Sequence, residues 1–156
     1  MLLDVAVCLP QEAETVGLIR SIVKHGLRSF GVSEECIDDI CLALSEAGTN
    51  VIEHAALDDE YEVRVQIDEQ QCTISVKNTG NGFDASALHG AIPDPSSPRG
   101  RGVAIMRTLM DRVDFDSGEE TGTIVHLVKM LTIEPGGLLD RVRRSPHAPR
   151  TPLEPG

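Results

Sequence analysis

Four short stretches hold side chains whose types and spacing could do chemistry. Glu46 and Asn50 stand four residues apart in LSEAGTNVIEH, which on a helix stacks a carboxylate and an amide about one turn apart. Such a pair suits one group to take a proton from a hydroxyl while the other offers a hard oxygen to a magnesium ion. Asp39 and Glu53 share the face, so a solvated helix surface is the chemically silent alternative, and His54 reads as a hydrogen-bonded structural histidine rather than a base. In Asn78-Thr79-Gly80-Asn81-Gly82-Phe83-Asp84 the spaced glycines let backbone pass close to a ligand, because no Cβ intervenes. Arg99-Gly100-Arg101-Gly102 precedes a helical pattern, where backbone N–H groups, the positive end of the helix dipole and two guanidiniums could cradle phosphate; a loop-to-helix hinge is the plainer reading. Gly122-Thr123 opens a strand pattern and by itself indicates a bulge or turn.

These stretches need elements to hold them. Residues 2–8 form an apolar strand candidate, and after Pro10 the residues Val16, Ile19, Ile22, Val23, Gly26 and Leu27 recur at helical spacing, the helix stopping near Phe30-Gly31. Ser33 offers an N-cap, followed by Glu34 and Glu35 where the dipole favours negative charge, and a second helix runs to about Ala55. Its apolar face comprises Ile37, Ile40, Cys41, Leu44, Gly48, Val51, Ile52 and Ala55, with Glu46 and Asn50 on the opposite side. Tyr61, Val63, Val65 and Ile67 alternate with polar residues, as do Cys72, Ile74 and Val76, which predicts a half-buried antiparallel hairpin and points Asn78 inward by the same alternation. An inward amide needs a hydrogen-bonding partner, which either a ligand or the local backbone at the strand end could supply. Residues 78–102 lack periodicity and are long for a connector, as a lid or binding loop would be. A helix from Val103 to about Met110, a strand near Val113–Phe115, a turn at Ser117-Gly118 and a strand from Thr121 to about Leu131 complete the body.

The 156 residues amount to one ordinary domain, and 14 basic against 25 acidic residues give a net charge of −11. With 3% aromatic residues there is no stacking surface for single strands, and the acidic balance opposes a phosphate backbone, so direct nucleic-acid binding is not expected. No apolar run reaches the roughly 18 residues of a membrane span, and Asp4 sits where a secretory signal carries Lys or Arg, which predicts a cytoplasmic protein without a membrane segment. The four cysteines form no C-x-x-C pair and read as small buried hydrophobes. Ile105 replaces the third glycine of a dinucleotide fingerprint, and no Gly-Lys pair exists for a Walker loop. Residues 135–156 hold five of the nine prolines and four arginines against two acids, a composition that predicts a flexible tail. The expected division is therefore a domain over 1–133 and a Pro/Arg-rich tail over 134–156.

In this order the blocks Glu46-x-x-x-Asn50, Asn78-x-Gly80-x-Gly82-Phe83, Gly100-Arg101-Gly102 with Met106-x-x-x-Met110-Asp111, and Gly122-Thr123 resemble the GHKL ATP-binding superfamily, and within it the small anti-sigma-factor serine kinases of bacteria. The resemblance spans roughly residues 3–131. It implies a two-layer α/β sandwich with a mixed, largely antiparallel sheet, helices on one face, and ATP held under a lid of roughly residues 85–99. It implies Asn50 as the magnesium ligand, Glu46 as the base for an attacking serine, Gly80 and Gly82 along adenine and ribose, Gly100, Arg101 and Gly102 against the phosphates, and Thr123 near adenine. At the first position of the glycine block the family usually carries aspartate, which accepts from the adenine amino group. Here Asn78 stands there and retains an acceptor oxygen without the charge.

The function implied is that of an anti-sigma factor and Mg-ATP-dependent protein serine kinase. It would bind a sigma factor and phosphorylate an anti-anti-sigma partner of the STAS type, so that partner switching regulates transcription; the family analogy also implies a homodimer. A second reading, marked by Asn78, is a module that keeps the fold and sequesters a regulator without using ATP. The ATP-binding half of a histidine kinase fits less well, because no second helical hairpin with a phosphoacceptor histidine is present.

Overall fold

A computed structural model describes residues 1–54, 60–78, 98–118 and 122–145. The chain runs β1 (Leu3–Pro10), α1 (Ala13–Ser29), α2 (Glu34–His54), β2 (Glu60–Ile67), β3 (Gln71–Asn78), α3 (Pro98–Leu109), β4 (Arg112–Gly118), β5 (Gly122–Met130) and α4 (Leu138–Arg144). The strands form one sheet in the order β1-β2-β3-β5-β4, and α1, α2 and α3 pack on one face of it. This is the expected two-layer α/β sandwich.

All four strand pairings are antiparallel, rather than mixed. The reason is topological. Passage from β3 through α3 to β4 leaves those strands parallel, as a helical crossover does, but β5 returns by a hairpin and inserts between them.

Alternation along β2 and β3 sets the buried layer: Tyr61, Val63, Val65 and Ile67 face Cys72, Ile74, Val76 and Asn78, all inward. The hairpin turn is fixed by Asp68, whose Oδ1 accepts from the backbone N–H of Gln70 and of Gln71, each at 2.8 Å. On α2 the apolar stripe of Ile37, Ile40, Leu44 and Val51 is buried against this sheet, and each such side chain contributes about 1.5–3 kcal/mol. Ser33 caps α2 as expected, its Oγ accepting from Cys36 N at 3.4 Å. No helix among the described residues is long and apolar enough to cross a membrane.

Two expectations need correction. Residues 134–145 do not belong to a flexible tail: α4 docks on the α1–α2 turn, with Leu139 fully buried, Leu139 N donating to Phe30 O at 3.0 Å and Glu134 N to Gly31 O at 2.7 Å. Composition averaged over 22 residues hid the local pattern of Leu138, Leu139 and Val142, which is enough for one apolar helix face. The docking needs two glycines. Gly31 has φ +80°, and a Cβ there would stand 2.9 Å from Gly137 Cα. Residues 146–156 lie outside the described residues.

The second correction concerns α3, which begins at Pro98 rather than Val103. Arg99-Gly100-Arg101-Gly102 therefore forms its opening turns instead of preceding them, consistent with the fixed φ of proline at a first helical position.

Candidate active site

The polar face of α2 is not a solvated surface. α3 lies across it, burying Asn50 to 9% exposure and leaving Glu46 only partly accessible. The closest approach is at Gly102, where a Cβ would stand 2.8 Å from Glu46 Oε2 and 3.7 Å from Asn50 Oδ1. Glycine is thus what lets α3 sit against the carboxylate and the amide. Buried Val103, Met106 and Met110 supply the apolar contact behind this junction.

This arrangement brings two of the four sequence blocks together. Glu46 and Asn50 come from α2, Gly100, Arg101 and Gly102 from the start of α3, with Gly100 and Gly102 buried and Arg101 exposed. The opening of a helix presents backbone N–H groups and the positive end of its dipole to whatever lies before it. A carboxylate, an amide oxygen and that helix end form a donor set of hard oxygens and N–H groups, which fits a magnesium-bound polyphosphate.

Asn78 ends β3 with its side chain inward and 1% exposed, as the strand alternation requires. Its Oδ1 accepts from Gln11 Nε2 at 3.3 Å, and Gln11 also reaches Glu60 O at 3.5 Å. Gln11 lies just before α1 and has no periodic or motif signal that would have singled it out. Beside it the buried Tyr61 shares a 2.6 Å hydrogen bond with the Thr15 hydroxyl, and burial pushes the Tyr61 phenol up from its ordinary value of 10.0. Thr123 occupies the position on β5 before Ile124, the partner of Lys77, so it adjoins the Asn78 end of β3. Gly80, Gly82 and the expected lid up to residue 97 lie outside the described residues.

Residues 9–129 match the Histidine kinase-like ATPase domain. The chain belongs to that family. Among its relatives, Serine-protein kinase RsbW of Bacillus licheniformis is 35% identical over 123 residues, covering 70% of this chain and 76% of that protein. Serine-protein kinase RsbW of Bacillus velezensis is 31% identical over 137 residues, covering 81% and 84%. The fold agrees with solved family structures. The RsbU and RsbW domains of a Mycobacterium tuberculosis protein superpose with a TM-score of 0.63 at 20% identity over 83% of this chain, which spans 32% of that larger one. The catalytic domain of histidine kinase ThkA gives a TM-score of 0.52 at 14% identity, covering 81% and 95%. The GHKL resemblance and the sandwich architecture inferred from the sequence hold, and the family supplies ATP binding as the frame for the α2–α3 junction.

Proposed function

We propose that this chain is a cytoplasmic anti-sigma factor and protein serine kinase that uses Mg-ATP to phosphorylate an anti-anti-sigma partner of the STAS type. The observation that supports it most is the α2–α3 junction, where a glycine admits the opening of α3 against Glu46 and Asn50. The relatives named serine-protein kinase point the same way.

In this reading Asn50 holds magnesium through its amide oxygen, and Gly100, Arg101 and Gly102 receive the phosphates. Gly80 and Gly82 line adenine and ribose, Thr123 lies near adenine, and Asn78 accepts from the adenine amino group while Gln11 steadies its amide. Magnesium, when bound, neutralises phosphate charge and draws electrons from the bond to the leaving group. Glu46 takes the proton from the attacking serine hydroxyl as the new O–P bond forms and the bond to ADP breaks. Phosphoryl transfer asks mainly for positioning and charge neutralisation, which these groups supply.

Phosphate adds about −1.5 to −2 charge to the partner. A kinase of net charge −11 then repels its product and is freed to capture a sigma factor. A homodimer would use the free edge of β1, where Val5 is 36% exposed and lines a shallow apolar pocket with Ile22 of α1, 46% exposed.

The test is transfer of labelled γ-phosphate from Mg-ATP to a STAS-domain partner by the native chain and by Glu46→Gln. Transfer lost in the variant with ATP binding retained supports the reading. Native-like transfer by Glu46→Gln contradicts the assigned base, and no transfer by the native chain contradicts the kinase.

A further inference from the structure

A part-buried lysine and its aspartate lie at the other end of α3. Lys129 continues the inward face of β5 after Val125 and Leu127, and its Nζ donates to Leu109 O, the last carbonyl of α3, at 2.5 Å. The same Nζ stands 3.3 Å from Asp39 Oδ2 on α2, with the two side chains only 19% and 29% exposed. One cation therefore joins α2, α3 and β5. It satisfies a terminal carbonyl and opposes the negative end of the α3 dipole.

The spacing gives this tie a consequence for the site. Asp39 to Glu46 is seven residues on α2, and Gly102 to Leu109 is seven residues on α3, so each segment is about 10.5 Å long at 1.5 Å per residue. The helices run antiparallel here, with Leu109 brought to Asp39 through Lys129 and Gly102 brought to Glu46. Two anchors of matched separation fix the axial placement of α3. Slippage at the Lys129 end would carry Gly102 along Glu46 and Asn50. The neighbouring turn is stitched to β5 as well, Asp111 N donating to Val128 O at 2.9 Å and Met130 N to Asp111 Oδ2 at 2.7 Å, so the rigid sheet is the reference against which α3 is set.

We infer that Lys129 and Asp39 are positioning residues for phosphoryl transfer, holding the opening of α3 in register with Glu46 and Asn50 from the far end of the helix. The inference rests on the ATP reading above for its function, but not for its geometry.

The experiment compares the native chain with Lys129→Met, Lys129→Arg and Asp39→Asn. Mg-ATP and adenosine are titrated by chemical shift, and backbone amide exchange is followed without nucleotide. Misplacement of an ångström at a reacting group costs up to about 100-fold, so Lys129→Met and Asp39→Asn should weaken Mg-ATP by roughly tenfold and adenosine by no more than about twofold. Lys129→Arg keeps a donor and a charge and should recover most of the loss. Exchange should rise at residues 100–103 while the amides of β3 stay protected. Equal losses for Mg-ATP and adenosine, or faster exchange spread evenly over the protein, would overturn the inference. If the native chain binds neither ligand the ATP reading fails, and the exchange pattern alone still decides whether Lys129 sets the position of α3.

Discussion

Gly102→Ala separates stability from activity in a way that only the proposed site explains. Removing a glycine from a helix favours folding by about 1 kcal/mol. Against this, the new Cβ would lie 2.8 Å from Glu46 Oε2, and an ordinary contact is 3.4 Å or more, so the carboxylate must withdraw by about 0.6 Å. That atom is the far end of a flexible side chain, and moving it off its rotamer costs about 0.5–1.5 kcal/mol. The two terms nearly cancel, so the melting temperature should stay within about 3 °C of native, given 2–4 °C per kcal/mol for a chain of this size. Activity should not be spared. Displacing a base by this distance lowers kcat by about 10- to 100-fold, while Asn50 Oδ1, 3.7 Å from the new methyl, keeps an ordinary contact. The assay is steady-state phosphorylation of the partner beside a thermal melt. A native kcat in Gly102→Ala would refute the placement of the base at this junction, and a melting temperature lowered by more than about 6 °C would show that the methyl meets something less yielding than a carboxylate.

Three further outcomes follow from the fold. Gly31→Ala forces a left-handed residue to carry a side chain, at about 1–2 kcal/mol, and drives it into Gly137, so urea denaturation should show a loss of at least about 2 kcal/mol; Leu139→Ala should lose about 2–5 kcal/mol, and near-native stability in both would contradict the seating of α4. Burial pushes the Cys72 thiol up to about 12 and raises Cys36 and Cys41, whereas Cys8 is exposed, so an alkylating reagent at pH 8 should label one thiol of the folded chain and all four only after unfolding. Hydrogen bonds from Arg64 to Asp4, Arg28 to Glu34 and Gly136 N to Asp140 hold those carboxyls below their ordinary 3.8, 4.5 and 3.8. Groups with lowered values stabilise above their ordinary pKa and lose that contribution as pH falls through the folded value, so the urea midpoint should decline from about pH 5 to pH 3, less steeply in Arg64→Gln and at high salt.

Much of this was legible in the sequence because each signal was local. Period-two alternation marked β2 and β3 and correctly turned Asn78 inward, and the stripe from Ile37 to Val51 marked the buried face of α2. Glu46 and Asn50 were singled out by spacing, but their burial was not, because the cover comes from α3, some fifty residues further along the chain. The all-antiparallel sheet escaped for the same reason: the insertion of β5 between β3 and β4 is a choice among topologies that local pattern does not record. α4 was hidden by the proline and arginine content around it. Gln11 has no motif, and only its contact with Asn78 gives it meaning. Lys129 did leave a trace, since it falls on the inward register of Val125 and Leu127, where a charge demands a partner.

The most direct test of the account is a calorimetric titration with ATP, with and without magnesium, on the native chain and on Asn50→Ala, read beside a thermal shift. A ligand at 100 times its dissociation constant adds about 2.7 kcal/mol of stability. The account predicts saturable, magnesium-dependent binding to the native chain with a clear upward shift, and neither in Asn50→Ala. A native chain that ignores ATP in both conditions, or an Asn50→Ala variant that binds Mg-ATP like the native chain, would contradict it.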